Sequence, residues 1–180
     1  MKLMIASDLH GSARFCGEML EAYRREAADR LILLGDLLYH GPRNDLPEAY
    51  APKRVIEMLN EYRRAILCVR GNCDTEVDQM VLEFPILADY ALILAEDLSI
   101  YATHGHVFHR DHVPPMQPGD ILLQGHTHVP AWDRRGEVWV LNPGSVSIPK
   151  AGSERSYMTL ERGVFRWKTL AGEVYHEQSI

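Results

Sequence analysis

The sequence predicts an α/β fold built around two central sheets, the first of them partly parallel. Three observations carry that expectation. Short apolar runs alternate with segments of helical period in the first half. Apolar runs follow one another with few intervening helices in the second. Five of the runs break off into Asp, His or Asn.

Residues 3–7 form a buried strand that enters a loop at Asp8-Leu9-His10-Gly11. Ser12 is placed to cap the helix that follows, where Phe15, Met19, Leu20, Tyr23 and Ala27 recur at helical spacing. Residues 31–34 predict a second strand ending at Gly35-Asp36. A loop over 40–52 then holds Pro42, Pro47 and Pro52. Val55, Ile56, Met58, Leu59 and Tyr62 mark a second helix, and residues 65–69 a third strand that ends at Gly71-Asn72-Cys73-Asp74. Strands at 90–95 and 98–103 meet at a tight turn, Glu96-Asp97, and the latter runs into His104-Gly105-His106. Residues 121–124 lead to Gly125-His126-Thr127-His128. Strands at 137–141, 156–160 and 164–170 complete the pattern, with Arg162-Gly163 as a hairpin turn. With no repeat and no linker, residues 1–180 read as one domain.

A chain of 180 residues with 46% hydrophobic content can bury a core without disulfides. Nineteen basic against 25 acidic residues give a formal charge of −6, which argues against a general basic surface for nucleic acid. Cys16, Cys68 and Cys73 form no CxxC pair, so a reducing compartment is expected. No signal-peptide pattern and no membrane-spanning run is present, and the expectation is a soluble cytoplasmic protein. Trp139, Phe165, Trp167 and Tyr175 are either core or a subunit contact.

The five strand ends carry the functional signal. Each contributes short-range donors: Asp8 and His10, Asp36, Asn72, His104 and His106, His126 and His128. Ligands in α/β sheets collect beyond the carboxyl ends of strands. Five of the nine histidines fall in three of these segments, which scattered core histidines would not do. Mixed carboxylate and imidazole donors suit Mn, Fe, Zn or Ni. These donors exceed one tetrahedral site, so two ions are expected, bridged by a carboxylate such as Asp36. His109, His112 and His176 fit no such pattern and are expected at the surface.

Asp-x-His, Gly-Asp, Gly-Asn-x-Asp, a later His and Gly-His-x-His occur in that order at Asp8/His10, Asp36, Asn72/Asp74, His104 and His126/His128. In this the chain resembles the calcineurin-like metallophosphoesterase superfamily. Its length, the 40–44 loop, the Gly71-Asn72-Cys73-Asp74 variant and Asn142-Pro143-Gly144-Ser145-Val146-Ser147-Ile148-Pro149-Lys150 further resemble small bacterial phosphodiesterases of that superfamily. The resemblance covers about residues 1–150. It implies a four-layer α/β/β/α sandwich with two mixed sheets and a metal site at the strand ends. One ion would be held by Asp8, His10, Asp36 and His128, the other by Asp36, Asn72, His104 and His126. Manganese is the first expectation, with zinc, nickel or iron as alternatives. The implied reaction is hydrolysis of a small phosphodiester by metal-activated hydroxide, weak on monoesters. A homodimer or tetramer is also implied.

The departure from the family pattern is Cys73, where most members carry His. A thiol is a weak donor without positive charge, which favours diesters with leaving groups that need no strong acid. The competing reading makes Cys73 a small filler. Arg43 is a candidate to bind substrate phosphate, or is a solvated loop residue. His106 is expected to face substrate or support the ligands, and Asp74 to accept the second N–H of a ligand histidine. The alternative functions are a phosphomonoesterase and a non-catalytic scaffold of the same fold, which would not need all seven donors. A nuclease is disfavoured by the short chain and its acidity.

Overall fold

The computed structural model describes residues 1–180. The chain runs β1 (Lys2–Ala6), α1 (Ala13–Glu26), β2 (Arg30–Leu33), α2 (Pro52–Glu61), β3 (Ile66–Cys68), α3 (Glu76–Gln79), β4 (Tyr90–Ala95), β5 (Leu98–Thr103), β6 (Ile121–Leu123), β7 (Ala131–Arg135), β8 (Val138–Asn142), β9 (Ser156–Glu161), β10 (Val164–Thr169) and β11 (Val174–Ser179). One sheet has the order β11-β10-β9-β1-β2-β3, the other β4-β5-β6-β8-β7. β1, β2 and β3 are parallel, and β9 to β11 extend their sheet antiparallel. In the second sheet β5, β6 and β8 are parallel, flanked by antiparallel β4 and β7. Both sheets are therefore mixed, as expected.

Alternation along β1 divides the core in two. Met4 and Ala6 face α1 and α2, packing with Phe15, Met19, Leu20, Val55 and Leu59. Leu3 and Ile5 face the second sheet, packing with Ile100, Ile121, Leu123 and Leu141. That is the period-2 signature of a strand buried on both faces. Ser12 caps α1 by accepting a bond from the Phe15 amide at 3.3 Å, and Ala27 ends it in the left-handed region at φ 48°.

Phe165 and Trp167 are fully buried between the sheets, so these two are core, whereas Tyr175 on β11 is 41% exposed. One expected layer is not helical. Leu122 and Val140, which point away from the inter-sheet core, are buried, yet no helix lies over that face of the second sheet. The irregular segment 104–120 approaches it instead: the Tyr101 hydroxyl donates to the Pro115 carbonyl, and Phe108 meets Tyr90 edge-on. Pro114, Pro115 and Pro118 prevent a helix there.

Candidate metal centre

The carboxyl ends of β1, β2, β3, β5 and β6 come together at one edge of the sandwich, joined by bonds between the two sheets. His104 Nδ1 donates to the Leu34 carbonyl at 2.7 Å, and Ser145 and Ser147 hydroxyls both donate to the Asp8 carbonyl, at 2.9 and 3.0 Å. Ten non-glycine residues have positive φ, and five of them are expected ligands: Asp8 (60°), His10 (47°), Asp36 (56°), His126 (64°) and His128 (60°). Asp and His tolerate this region better than most side chains, but it remains costly. Close approach of the loops explains two glycines. A Cβ on Gly71 would collide with the Asp36 carboxylate, and one on Gly125 with the Ser7 hydroxyl.

The side chains form two overlapping groups. In the first, His10 Nε2 lies 3.6 Å from both Asp8 Oδ1 and Asp36 Oδ2. His128 Nε2 lies 3.3 Å from Asp8 Oδ1 and 3.3 Å from His10 Nε2. In the second, His104 Nε2 lies 3.5 Å from Asp36 Oδ2, 3.1 Å from Asn72 Oδ1 and 3.2 Å from His126 Nδ1. Asp36 Oδ2 belongs to both. All seven expected ligands are thus brought together around Asp8 and Asp36.

The ring nitrogens on the far sides fix the chemistry of those facing inward. His10 Nδ1 meets the Tyr39 carbonyl at 2.8 Å, and His128 Nδ1 meets the Ile148 carbonyl at 2.7 Å. A carbonyl can only accept, so these Nδ1 atoms, like that of His104, carry the proton. In the neutral imidazoles the Nε2 atoms are then lone pairs directed at carboxylate oxygens. Asp8 Oδ1 is buried with no hydrogen-bond partner at all. A cluster of acceptors without donors is what a cation requires, and the mixed N/O set fits a divalent ion.

Titration follows from the same crowding. Burial pushes the Asp8 carboxyl up, but His10, His128 and His104 outweigh it and hold it well below the usual range. Asp36 is likewise lowered against its burial, chiefly by His104. Burial alone would lower His104, yet Asp36 and Asp8 carry it up to about 9. His126 and His106 are lowered by burial and by the charge of His104. Protons therefore compete with a cation for His104, so metal affinity falls with falling pH.

Other expected residues are placed as follows. Cys73 is buried, its amide donating to Asp36 Oδ1 at 2.8 Å, and its thiol is pushed up to about 12 by burial and then by Asp36. Asp74 departs from expectation because it touches no histidine. Its carboxylate accepts the amides of Asp36, Leu37 and Gly71 at 2.8, 2.9 and 2.8 Å, fixing the Asp36 turn. Arg43 lines a cavity of about 430 Å³ together with His10, Asp36, Asn72, His126 and His128. His106 is not among the residues lining it. Its ring packs 5.4 Å from that of His104, and its Nδ1 is buried without a partner. His109 and His112 pair through their backbones away from the strand ends, and His112 is exposed. His176 is no free surface residue: it stacks on Trp132 at 3.9 Å and meets the buried Trp167.

Sequence reasoning gave no role to Asn142, Ser145, Ser147 or Lys150. Asn142 Nδ2 donates to the Gly125 carbonyl at 2.9 Å and Thr127 Oγ1 at 3.0 Å, shaping the turn that carries His126 and His128. Asn-Pro-Gly after an apolar run is a turn signal, and it was the available pointer.

The calcineurin-like phosphoesterase superfamily domain matches residues 1–163. Phosphodiesterase YfcE of Escherichia coli is 50% identical over 164 residues, covering 91% of this chain and 89% of that protein. The solved structure of YfcE, a phosphoesterase from E. coli, superposes with a TM-score of 0.97 at 46% identity over all of both chains. Vps29 from Entamoeba histolytica, solved with Zn²⁺, shares the fold alone, with a TM-score of 0.63, 20% identity and 99% of each chain covered.

Proposed function

Because the chain belongs to the calcineurin-like phosphoesterase superfamily, and is a phosphoesterase on that account, we propose that it hydrolyses small soluble phosphodiesters with two divalent ions. One observation carries this: the inward-facing acceptors fall into two sets that share Asp36 Oδ2. Asp8, His10, Asp36 and His128 would hold one ion, and Asp36, Asn72, His104 and His126 the other. Bound there, the ions supply Lewis-acid neutralisation of phosphoryl charge and lower the pKa of water at neutral pH. Manganese is the proposed metal.

The protein's own contribution is placement. Carbonyls of Tyr39, Leu34 and Ile148 fix three imidazoles in one tautomer and rotation. The 41–44 loop and Lys150 enclose the substrate above them, with Arg43 offering its guanidinium to a phosphate oxygen. Beside them the Cys73 thiol stays protonated and uncharged, so it gives little help to a departing alkoxide. Preference for diesters with stable leaving groups over alkyl monoesters follows. The likeness to a phosphodiesterase supports the same reading. Residues 1–180 form a single catalytic domain in this proposal, cytoplasmic and assembled as a homodimer or tetramer.

The test is a screen of aryl diesters and monoesters with the Mn²⁺-loaded enzyme, with Asp36→Ala and His128→Ala as controls. Diester hydrolysis lost in both variants supports the proposal. Activity that persists in them, or an inert wild type that still binds protein partners, overturns it, the latter in favour of a scaffold.

A further inference from the structure

The cavity above the ligands has an unusual charge balance. Its twelve lining residues include one hydrophobic residue, one carboxylate (Asp36) and two permanent cations, Arg43 and Lys150. Both side chains are exposed, and neither makes an ion pair or hydrogen bond within the protein. They belong to separate loops. Arg43 lies in the 40–44 loop, where Gly41 packs near Cys73 and Asn44 Nδ2 donates to the His40 carbonyl at 2.9 Å. Lys150 is fixed on the side of His128. Its amide donates to the His128 carbonyl at 3.1 Å, and its carbonyl accepts from the Ser153 amide at 3.0 Å and hydroxyl at 2.7 Å. The carbonyl of Ile148, two residues earlier, holds the His128 ring at 2.7 Å. The backbone that orients a ligand therefore also fixes where the lysine starts.

An internal phosphodiester carries one negative charge, which the ligand cluster is built to receive through its cations. With Arg43 offered to the same phosphate, Lys150 remains beyond it as an exposed cation with no partner on the protein. No aromatic or aliphatic platform lines the cavity for an apolar leaving group either. We infer that Lys150 is a specificity residue that selects phosphodiesters bearing a second anionic group on the ester arm outside the metal cluster. This deepens the proposed phosphodiesterase reading and rests on it. The substrate class is a small, polar diester with an additional phosphate or carboxylate, held by charge-assisted bonds rather than by burial.

The test uses two p-nitrophenyl phosphodiesters with matched second arms, one from 4-hydroxybenzoate and one from 4-hydroxybenzamide. Both release p-nitrophenolate, so only the remote charge differs. The Mn²⁺-loaded wild type is expected to favour the carboxylate by about tenfold in kcat/KM, carried by KM, with the preference shrinking as salt rises. In Lys150→Gln that ratio falls toward one, and Lys150→Arg restores most of it. Thermal melting of each variant checks folding, which an exposed side chain should not disturb. Equal rates on both esters in the wild type, or an unchanged ratio in Lys150→Gln, overturn the inference while leaving the phosphodiesterase reading intact. Hydrolysis of neither ester overturns both.

Discussion

Asp8, His10, Asp36, His126 and His128 share a left-handed backbone that their side chains alone would not choose, at about 1–2 kcal/mol each. Such strain persists only where the surroundings over-determine it, and Asp74 is one of the groups that do so. Two amides of the Asp36 turn, those of Asp36 and Leu37, and that of Gly71 converge on its buried carboxylate. Asp74→Ala strands those donors and is expected to lower stability by about 3–5 kcal/mol in urea denaturation. Metal-dependent activity should fall as well, since the Asp36 turn loses its clamp. The proposed ligands were legible in the sequence through their joint occurrence at five strand ends, since each segment alone reads as turn chemistry. The contact of Asp74 was not, because its donors are backbone amides, which no residue pattern displays. Cys73 makes a separate prediction. Cys73→His restores a stronger donor beside the cavity and should raise monoester turnover relative to diester by several-fold. An unchanged ratio would leave Cys73 a small filler.

Between elements, a cluster of ionic contacts around Glu26 ties α1 to the first sheet. Glu26, near the helix end, accepts from Lys2 Nζ at 2.7 Å, Tyr157 Oη at 2.7 Å and Lys168 Nζ at 2.7 and 2.9 Å. A carboxylate is unfavourable at a helix C-terminus, and donors from β1, β9 and β10 offset that. Burial raises its pKa, but Lys168, Lys2 and Tyr157 outweigh burial and bring it from the usual 4.5 to about 2. A depressed carboxylate contributes its stability above the unfolded value, and that stability drains away as pH falls toward the folded one. Glu26→Gln should therefore melt below wild type at pH 7. The gap should close between pH 4.5 and 2, which calorimetry across that range would follow.

At the same scale, α1, α2, β1 and β2 were readable from periodicity, whereas β7 and β11 were not. Ala131–Arg135 is mostly charged and Val174–Ser179 mostly polar, because both are edge strands with little to bury. The four-residue α3 is too short for periodicity to reveal, and its Thr75–Asp78 capping box emerges from the structure.

The whole molecule carries a formal charge of −6, and two divalent ions would bring it to −2 by the sum −6 + 4. Ligand binding to the native state alone stabilises by RT ln(1 + [L]/Kd), about 2.7 kcal/mol at a hundredfold excess over Kd. Adding Mn²⁺ to chelator-treated protein should raise the melting temperature by several degrees. His128→Ala should lose most of that rise, and a rise of the same size would move the metal elsewhere.

The seven proposed ligands do not come from one part of the chain. Asp8, His10, Asp36 and Asn72 follow strands of the first sheet, His104, His126 and His128 strands of the second. The His128 ring is further held by Ile148. During synthesis, a nascent chain that has not yet released the segment through 148 holds an incomplete set, however well its first three strands have paired. A metal held by these seven residues would therefore be acquired late in the life of the polypeptide, once the two halves have closed on each other.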